Sequence, residues 1–214
     1  NPPTNVALMD ALSKHLVENK FNLKVLLRAI MSSRLYQLSS QPTKANVGDS
    51  RFYSHFRVKR MAAEPLLDAV DVATGVPTKF KSLPLGTRAI ELPDAGDFYS
   101  NYFLKTFAKP KRASVCECER SSDENLTQAL HTLNGDTVAG KVASKNGRVA
   151  KLLAAKTGHE AIVEELYLAT LSRRPTADEQ SACREFLKQS PSPKECYEDL
   201  LWALINSKQF LFVR

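Results

Sequence analysis

Apolar residues recur at three- and four-residue spacing along most of the 214-residue chain, the pattern of helices that each bury one stripe. In the first run, NVALMDALSKHLVENK, Leu8, Leu12 and Leu16 share a stripe flanked by Met9 and Val17. The preceding NPPTN supplies a stop and a cap. His15 falls beside this stripe, where a packed or rim histidine is the expected role. A second run begins near Asn22 and carries Leu23, Leu26, Leu27, Ile30 and Met31 on one face. A connection of about two residues predicts a helical hairpin. A third run, from about Ala62 to Thr74, turns Leu66, Leu67, Val70 and Ala73 inward. It tolerates Pro65 in its first turn and stops at Gly75.

The period is lost between Val76 and Gly96. This is the expected long irregular loop, with at most one short extended segment near Thr87 to Leu92. A short helix in YSNYFLKTFAKP is expected to stop at Pro110. Helical runs then resume behind four Ser/Thr-x-x-Glu patterns: Ser121 with Glu124, Thr157 with Glu160, Thr176 with Glu179, and Ser192 with Glu195. In such a capping box the hydroxyl accepts the N3 amide while the glutamate reaches back to the cap amide. The first pattern predicts a helix starting near Ser122, and smaller helical pieces are expected between Asp136 and Ala155. The last two helices, joined by SPS, predict a hairpin with Trp202 inside it. Phe186 and Leu187 would face Leu200, Leu201, Leu204 and Ile205. The fold class expected is all-α: a single-domain bundle of roughly eight helices with one long irregular loop.

Composition narrows the functions more than it selects one. With 43% hydrophobic residues the chain can build a substantial core. No apolar run approaches the ~20 residues needed to span a bilayer. Net charge is +7, and basic residues concentrate from Lys105 to Arg112 and from Lys141 to Lys156. Nucleic acid or an anionic surface could bind such stretches, but solvated helix faces are the plainer reading. Neither an aromatic–basic RNA-binding pattern nor zinc-finger spacing accompanies the charge, so nucleic acid is not expected as a partner. RFYSHFRVKR, residues 51–60, admits two readings: a stacking and phosphate surface, or aromatics anchoring a helix start while the arginines stay solvated. The second is expected. GxGxxG, Walker A, HExxH, GxSxG and CxxCH are all missing from the sequence, and the four histidines are scattered singly. Carboxylate pairs such as Glu164/Glu165 lie on helix faces or caps, so no catalytic constellation emerges.

Half of the four cysteines sit in SVCECERS, which makes Cys116, Glu117, Cys118, Glu119 and Arg120 the candidate functional segment. On a helix the two sulfurs would point about 200° apart, so they converge only in extended or turn backbone. There they could serve as two metal ligands, form a strained redox bond, or pack as small apolar groups beneath a carboxylate face. The packing role is expected: a structural lead-in with at least one cysteine buried and no metal. Cys183 and Cys196 fall on or beside the facing sides of the last hairpin. Counted from the turn they differ in height by about 4.5 Å. That is borderline against the usual ~4.4–6.8 Å Cα separation of a disulfide, so a bridge is a candidate feature there.

Several stretches carry a resemblance. The opening NPPTNVALMDALSKHLVENKFNLKVLLRAIMSSRLYQLSS resembles the start of the planctomycete PSD-one type domain of unknown function, numbered 1553 among such families. RVKRMAAEPLLDAV, SVCECERSSDENLTQALHTLNGD, ELYLATLSRRPTADE and DLLWALINSKQFLFVR look like its later blocks, in order. The resemblance implies a module at the C-terminal end of a large exported bacterial protein, in the periplasm or at the cell surface. It also implies companion domains of the same polypeptide, some members carrying cytochrome-c-like, carbohydrate-binding-like or immunoglobulin-like modules. It brings no established reaction and no catalytic residues, and it implies no cofactor in this chain. The leading expectation is therefore an uncharacterised helical module with a structural or interaction role. A redox or polysaccharide-acting unit built on Cys116 and Cys118 is the alternative. A nucleic-acid binder resting on charge is the third reading.

Overall fold

The structure is a computed structural model, and it describes residues 5–49, 51–93, 101–107, 109 and 136–213. The chain divides into two compact units, the first reaching to Lys59 and the second running from Arg60 to Val213. The described residues are mostly helical, as the periodicity predicts, with ten α-helices and one short 3-10 turn among them. The segments Ser121/Glu124 and the helix expected near Ser122 lie outside the described residues.

In the first unit α1 spans Val6–Glu18 and α2 spans Leu23–Met31. Each start is fixed by an asparagine. Asn5 Oδ1 accepts the Leu8 amide at 3.0 Å, and Asn22 Oδ1 accepts the Lys24 amide at 3.1 Å. The link between them is longer than about two residues because α1 ends at Glu18. Lys20 and Phe21 then take left-handed backbone, with φ of 53° and 60°, to reverse the chain. The two helices pack on each other as the expected hairpin.

The second unit is organised around α3, Ala63–Thr74. Leu66, Leu67, Val70 and Ala73 are all buried, as their spacing predicts. Gly75 ends the helix with φ +69°, a conformation that glycine adopts without a Cβ penalty. Around α3 stand α4 (Tyr102–Thr106), α5 (Asp136–Val142), α6 (Arg148–Ala154), α7 (His159–Leu171) and α9 (Pro193–Ile205). α8 (Ala177–Gln189) packs on α7 and α9, and α10 (Lys208–Leu211) closes on the same pair. Phe103, Leu104, Val138, Val149, Ile162 and Leu201 complete the centre of this core.

The end of α3 is where its neighbours are tied down. Arg148 Nε donates to the Ala73 carbonyl at 2.8 Å, and Nη2 donates to the Val72 carbonyl at 2.7 Å. Its Nη1 pairs with Glu165 of α7. Lys141 of α5 donates to the Val76 carbonyl at 2.7 Å and pairs with Asp71 at 2.8 Å, both side chains largely buried. Asp71 in turn accepts the Thr78 amide at 2.6 Å. Carbonyls left over at a helix C-terminus thus find cations from two other helices. Gly147 sits in a tight spot: a Cβ there would lie 3.0 Å from the Ser144 carbonyl oxygen, 3.3 Å from that of Lys141 and 3.4 Å from that of Thr74.

Four local expectations change. Thr87 to Leu92 is not extended: Ala89–Glu91 forms a 3-10 turn, because Asp68 accepts the amides of Ala89 and Ile90 at 2.6 and 3.2 Å. Extended backbone appears instead where the chain enters the second unit, β1 (Lys59–Arg60) pairing with β2 (Phe212–Val213). Thr157 does not cap α7; Gly158 holds that position, and Glu160 pairs with Arg184 of α8. Trp202 is only half-buried, since α9 gives its buried face, Leu201, Leu204 and Ile205, to the larger core. The Thr176/Glu179 box is complete, and Ser192 accepts the Glu195 amide at 3.2 Å with Pro193 at the first turn.

Replacing Arg148 with methionine should keep the apolar stem and orphan the α3 carbonyls. The expected loss is about 2 kcal/mol in urea unfolding. Glu165→Gln, which touches only the exposed side of the cluster, should cost less than about 1 kcal/mol.

Candidate interaction surface

Cys116, Glu117, Cys118, Glu119 and Arg120 lie outside the described residues. Cys183 on α8 and Cys196 on α9 are brought onto neighbouring helices, both buried and both as free thiols. Burial pushes the Cys183 thiol up, and the neighbouring Cys196 adds to it. Burial likewise pushes Cys196 up. The Tyr167 hydroxyl of α7, itself pushed up to about 12 by burial, hydrogen-bonds the Cys183 sulfur. That contact opposes the rise at Cys183, but burial outweighs it, and thiols held protonated by burial are poor nucleophiles and poor metal ligands. Beside them a groove of about 480 Å³ runs between α8 and α9, walled by Phe186, Leu200 and Trp202.

Arg173, just past α7, is a residue whose role the sequence pattern does not reveal. Its guanidinium holds both Glu179 oxygens at 2.7 and 2.8 Å, donates to Gln209 at 2.9 Å, and lies 5.4 Å from the Tyr167 ring centre. The Arg173 hydrogen bonds draw the Glu179 carboxyl down to about 2. Its only sequence signal is an arginine placed three residues before Thr176 of the Thr176/Glu179 box. His159, at the start of α7, shares a 3.0 Å hydrogen bond with Tyr197 of α9. Burial and the nearby Arg184 depress its pKa. The shifts at His159 and Glu179 thus belong to residues whose contacts tie helices together. Among the described residues no group of three or more His, Cys, Asp or Glu is placed to hold a metal ion.

The first unit presents a different surface. Among its described residues none is buried. α1 and α2 keep Leu12, Leu16, Leu26 and Ile30 half-buried. They leave Leu8, Met9, Leu23, Leu27 and Met31 exposed, Leu27 by 55% and Met31 by 54%. Of 21 large apolar side chains exposed among the described residues, 14 fall between Val6 and Val58. The first unit thus presents an apolar face denser than the singly scattered apolar residues of an ordinary surface. Its polar border includes Lys14 and Glu18, an exposed pair 3.8 Å apart. Such an exposed pair adds little stability.

The ionisable contacts set an acid limit. His159 has its folded pKa below 6.5, so its contribution is complete above that value and is lost as pH falls through the folded pKa. Glu179 has its folded pKa near 2 against 4.5, so its contribution is present above 4.5 and is lost on acidification towards 2. Urea midpoints measured against pH should therefore fall in two stages. Glu179→Gln should flatten the lower stage only, and His159→Phe the upper one only. Alkylation without reductant should label Cys183 and Cys196 slowly in the folded protein and both of them in urea.

No curated protein and no solved structure matches the chain. A family profile does: PSD1, protein of unknown function (DUF1553), aligns with residues 1–187. It includes α1 to α7 and most of α8, the interaction surface and the α3 junction among them, and with that coverage the chain belongs to the DUF1553 family.

Proposed function

We propose that this chain is a non-catalytic interaction module of a larger exported bacterial protein. The α1–α2 hairpin docks its apolar face against a companion domain of the same polypeptide. The observation that carries this reading is the first unit's composition of contacts: two well-capped amphipathic helices, yet not one buried residue among those described. Helices of 13 and 9 residues are marginal in water on their own. Their stability normally comes from burying an apolar face, so a face this rich in leucine and methionine calls for a surface to cover it. Methionine and leucine also suit a contact that must adapt in shape.

The second unit supports the same reading from the other side. Its ionisable groups are spent on holding helices together: Arg148 on α3, Arg173 on Glu179, and Lys141 on Asp71. Its buried thiols are held in their unreactive form. These are the properties of a scaffold.

The test compares the isolated chain with the full-length polypeptide by amide hydrogen exchange. Residues 6–31 should exchange quickly in the chain alone and at least tenfold more slowly in the full-length protein. Leu27→Asp with Met31→Asp should abolish that protection and change the urea midpoint of the isolated chain by less than about 0.5 kcal/mol equivalent. Equal exchange in both contexts would sink the proposal.

A further inference from the structure

A second feature of the first unit is independent of the hairpin face. Asp49 builds a rigid turn out of RFYSHFRVKR. Its Oδ1 accepts the Arg51 and Phe52 amides at 2.8 and 2.7 Å, and its Oδ2 accepts the Ser54 amide at 2.8 Å and the Ser54 hydroxyl at 2.6 Å. These hydrogen bonds hold the carboxyl well below the usual carboxylate range, so it stays ionised and engaged. They also hold Tyr53 at φ +55°, left-handed backbone that an aromatic residue rarely takes. On the inner side Asn46 Nδ2 donates to the Ser54 carbonyl at 3.1 Å, and Phe56 meets Tyr36 edge-on with ring centres 6.5 Å apart.

This turn spends its hydrogen bonds on displaying aromatics. Phe52 is 80% exposed and Tyr53 61%, with exposed Val47 and Val58 alongside. The Arg51 guanidinium lies 5.9 Å from the centre of the Phe52 ring, and that of Arg57 lies 5.3 Å from the centre of the Tyr53 ring. Lys44 and Lys59 are exposed as well, and from Gln41 to Lys59 the sequence holds four cations against one acid, Asp49. Asp49 faces backbone amides, so the cations dominate the field outside the turn.

We propose that this turn is a docking tip for an anionic lipid bilayer surface. Phe52 and Tyr53 enter the headgroup boundary while Arg51, Arg57, Lys44 and Lys59 meet the phosphates. Peripheral attachment needs two signals together, an apolar insertion and a basic cluster, and both occur here within one short segment. Aromatic rings favour the interfacial layer, and arginine can keep its head at the phosphates while its neighbour goes deeper. Single-stranded nucleic acid fits less well. A base would need a ring face to stack on, and a guanidinium over one face of each ring leaves it only the other. A bilayer makes no such demand. Because Asp49 preforms the turn, little ordering entropy is lost on docking.

The test is co-sedimentation of the full 214-residue chain with phosphatidylcholine vesicles, with and without phosphatidylglycerol. Binding is expected only with phosphatidylglycerol, and it should weaken as salt is raised. Arg51→Glu with Arg57→Glu should lower it about tenfold or more. Phe52→Ser with Tyr53→Gly should lower it by a similar factor. Glycine accepts the left-handed backbone at Tyr53, so that variant keeps the turn and an unchanged helical dichroism spectrum. No sedimentation of the parent chain would overturn the proposal. So would binding that survives both pairs of substitutions, or binding of a single-stranded oligonucleotide that the same substitutions remove.

Discussion

The carbonyls at the C-terminal end of α3 must be satisfied, and the way they are satisfied fixes how the second unit assembles. Arg148 reaches back from α6 to Val72 and Ala73, and Lys141 reaches from α5 to Val76 and Asp71. These contacts span 65 to 76 residues of chain. An unpaired carbonyl inside a packed junction costs about 1–3 kcal/mol, so the arrangement is specified as well as stabilised. A different register of α5 or α6 would leave Val72, Ala73 and Val76 without donors. Gly147 belongs to the same junction, because a Cβ on the turn entering α6 would press on the Ser144 and Lys141 carbonyl oxygens. Once α5 and α6 are placed, Glu165 receives Arg148 and α7 is placed with them.

Further along, Arg173 at the end of α7 ties helices together through side chains instead of carbonyls. One planar guanidinium serves a bidentate carboxylate on α8, an amide on α10 and an aromatic ring on α7 itself. A lysine could not make all these contacts, since it lacks the fork and the flat face. The apolar core supplies most of the driving force, through residues such as Leu66, Leu166 and Ile205. The arginines decide which of several apolar packings is adopted.

What could be read from the sequence follows from how local each cause is. Caps and turns are local, so Gly75, Ser192 and the Thr176/Glu179 box stand where the spacing predicts. The inward face of α3 is equally plain, because four apolar residues at helical spacing leave no other face to bury. Thr157 misleads because a cap pattern says nothing of a partner on another helix, and Arg184 claims Glu160. Thr87 to Leu92 misleads for a similar reason: its backbone is set by Asp68, about twenty residues earlier. Arg148 and Arg173 look like ordinary surface cations until the carbonyls and carboxylates they serve are in place. In the first unit the aromatic and basic residues 51–60 are legible as a composition, whereas the turn that displays them depends on Asp49.

Helical periodicity also cannot tell a face that is covered from one that waits to be covered. α2 is as clearly amphipathic as any helix among the described residues, yet none of its residues is fully buried. The contrast with α3 lies in what surrounds each helix. α3 is ringed by five helices, two of them tied to its C-terminal end by Lys141 and Arg148, so its apolar stripe is consumed within the second unit. α1 and α2 have only each other among the helices of the first unit, and two helices in contact can hide only one side apiece. The remaining side is left exposed as Leu8, Met9, Leu27 and Met31, the face that the proposed docking would cover. Strong caps at Asn5 and Asn22 fit that arrangement. They hold the helices formed, so that docking does not have to supply the energy of folding them as well.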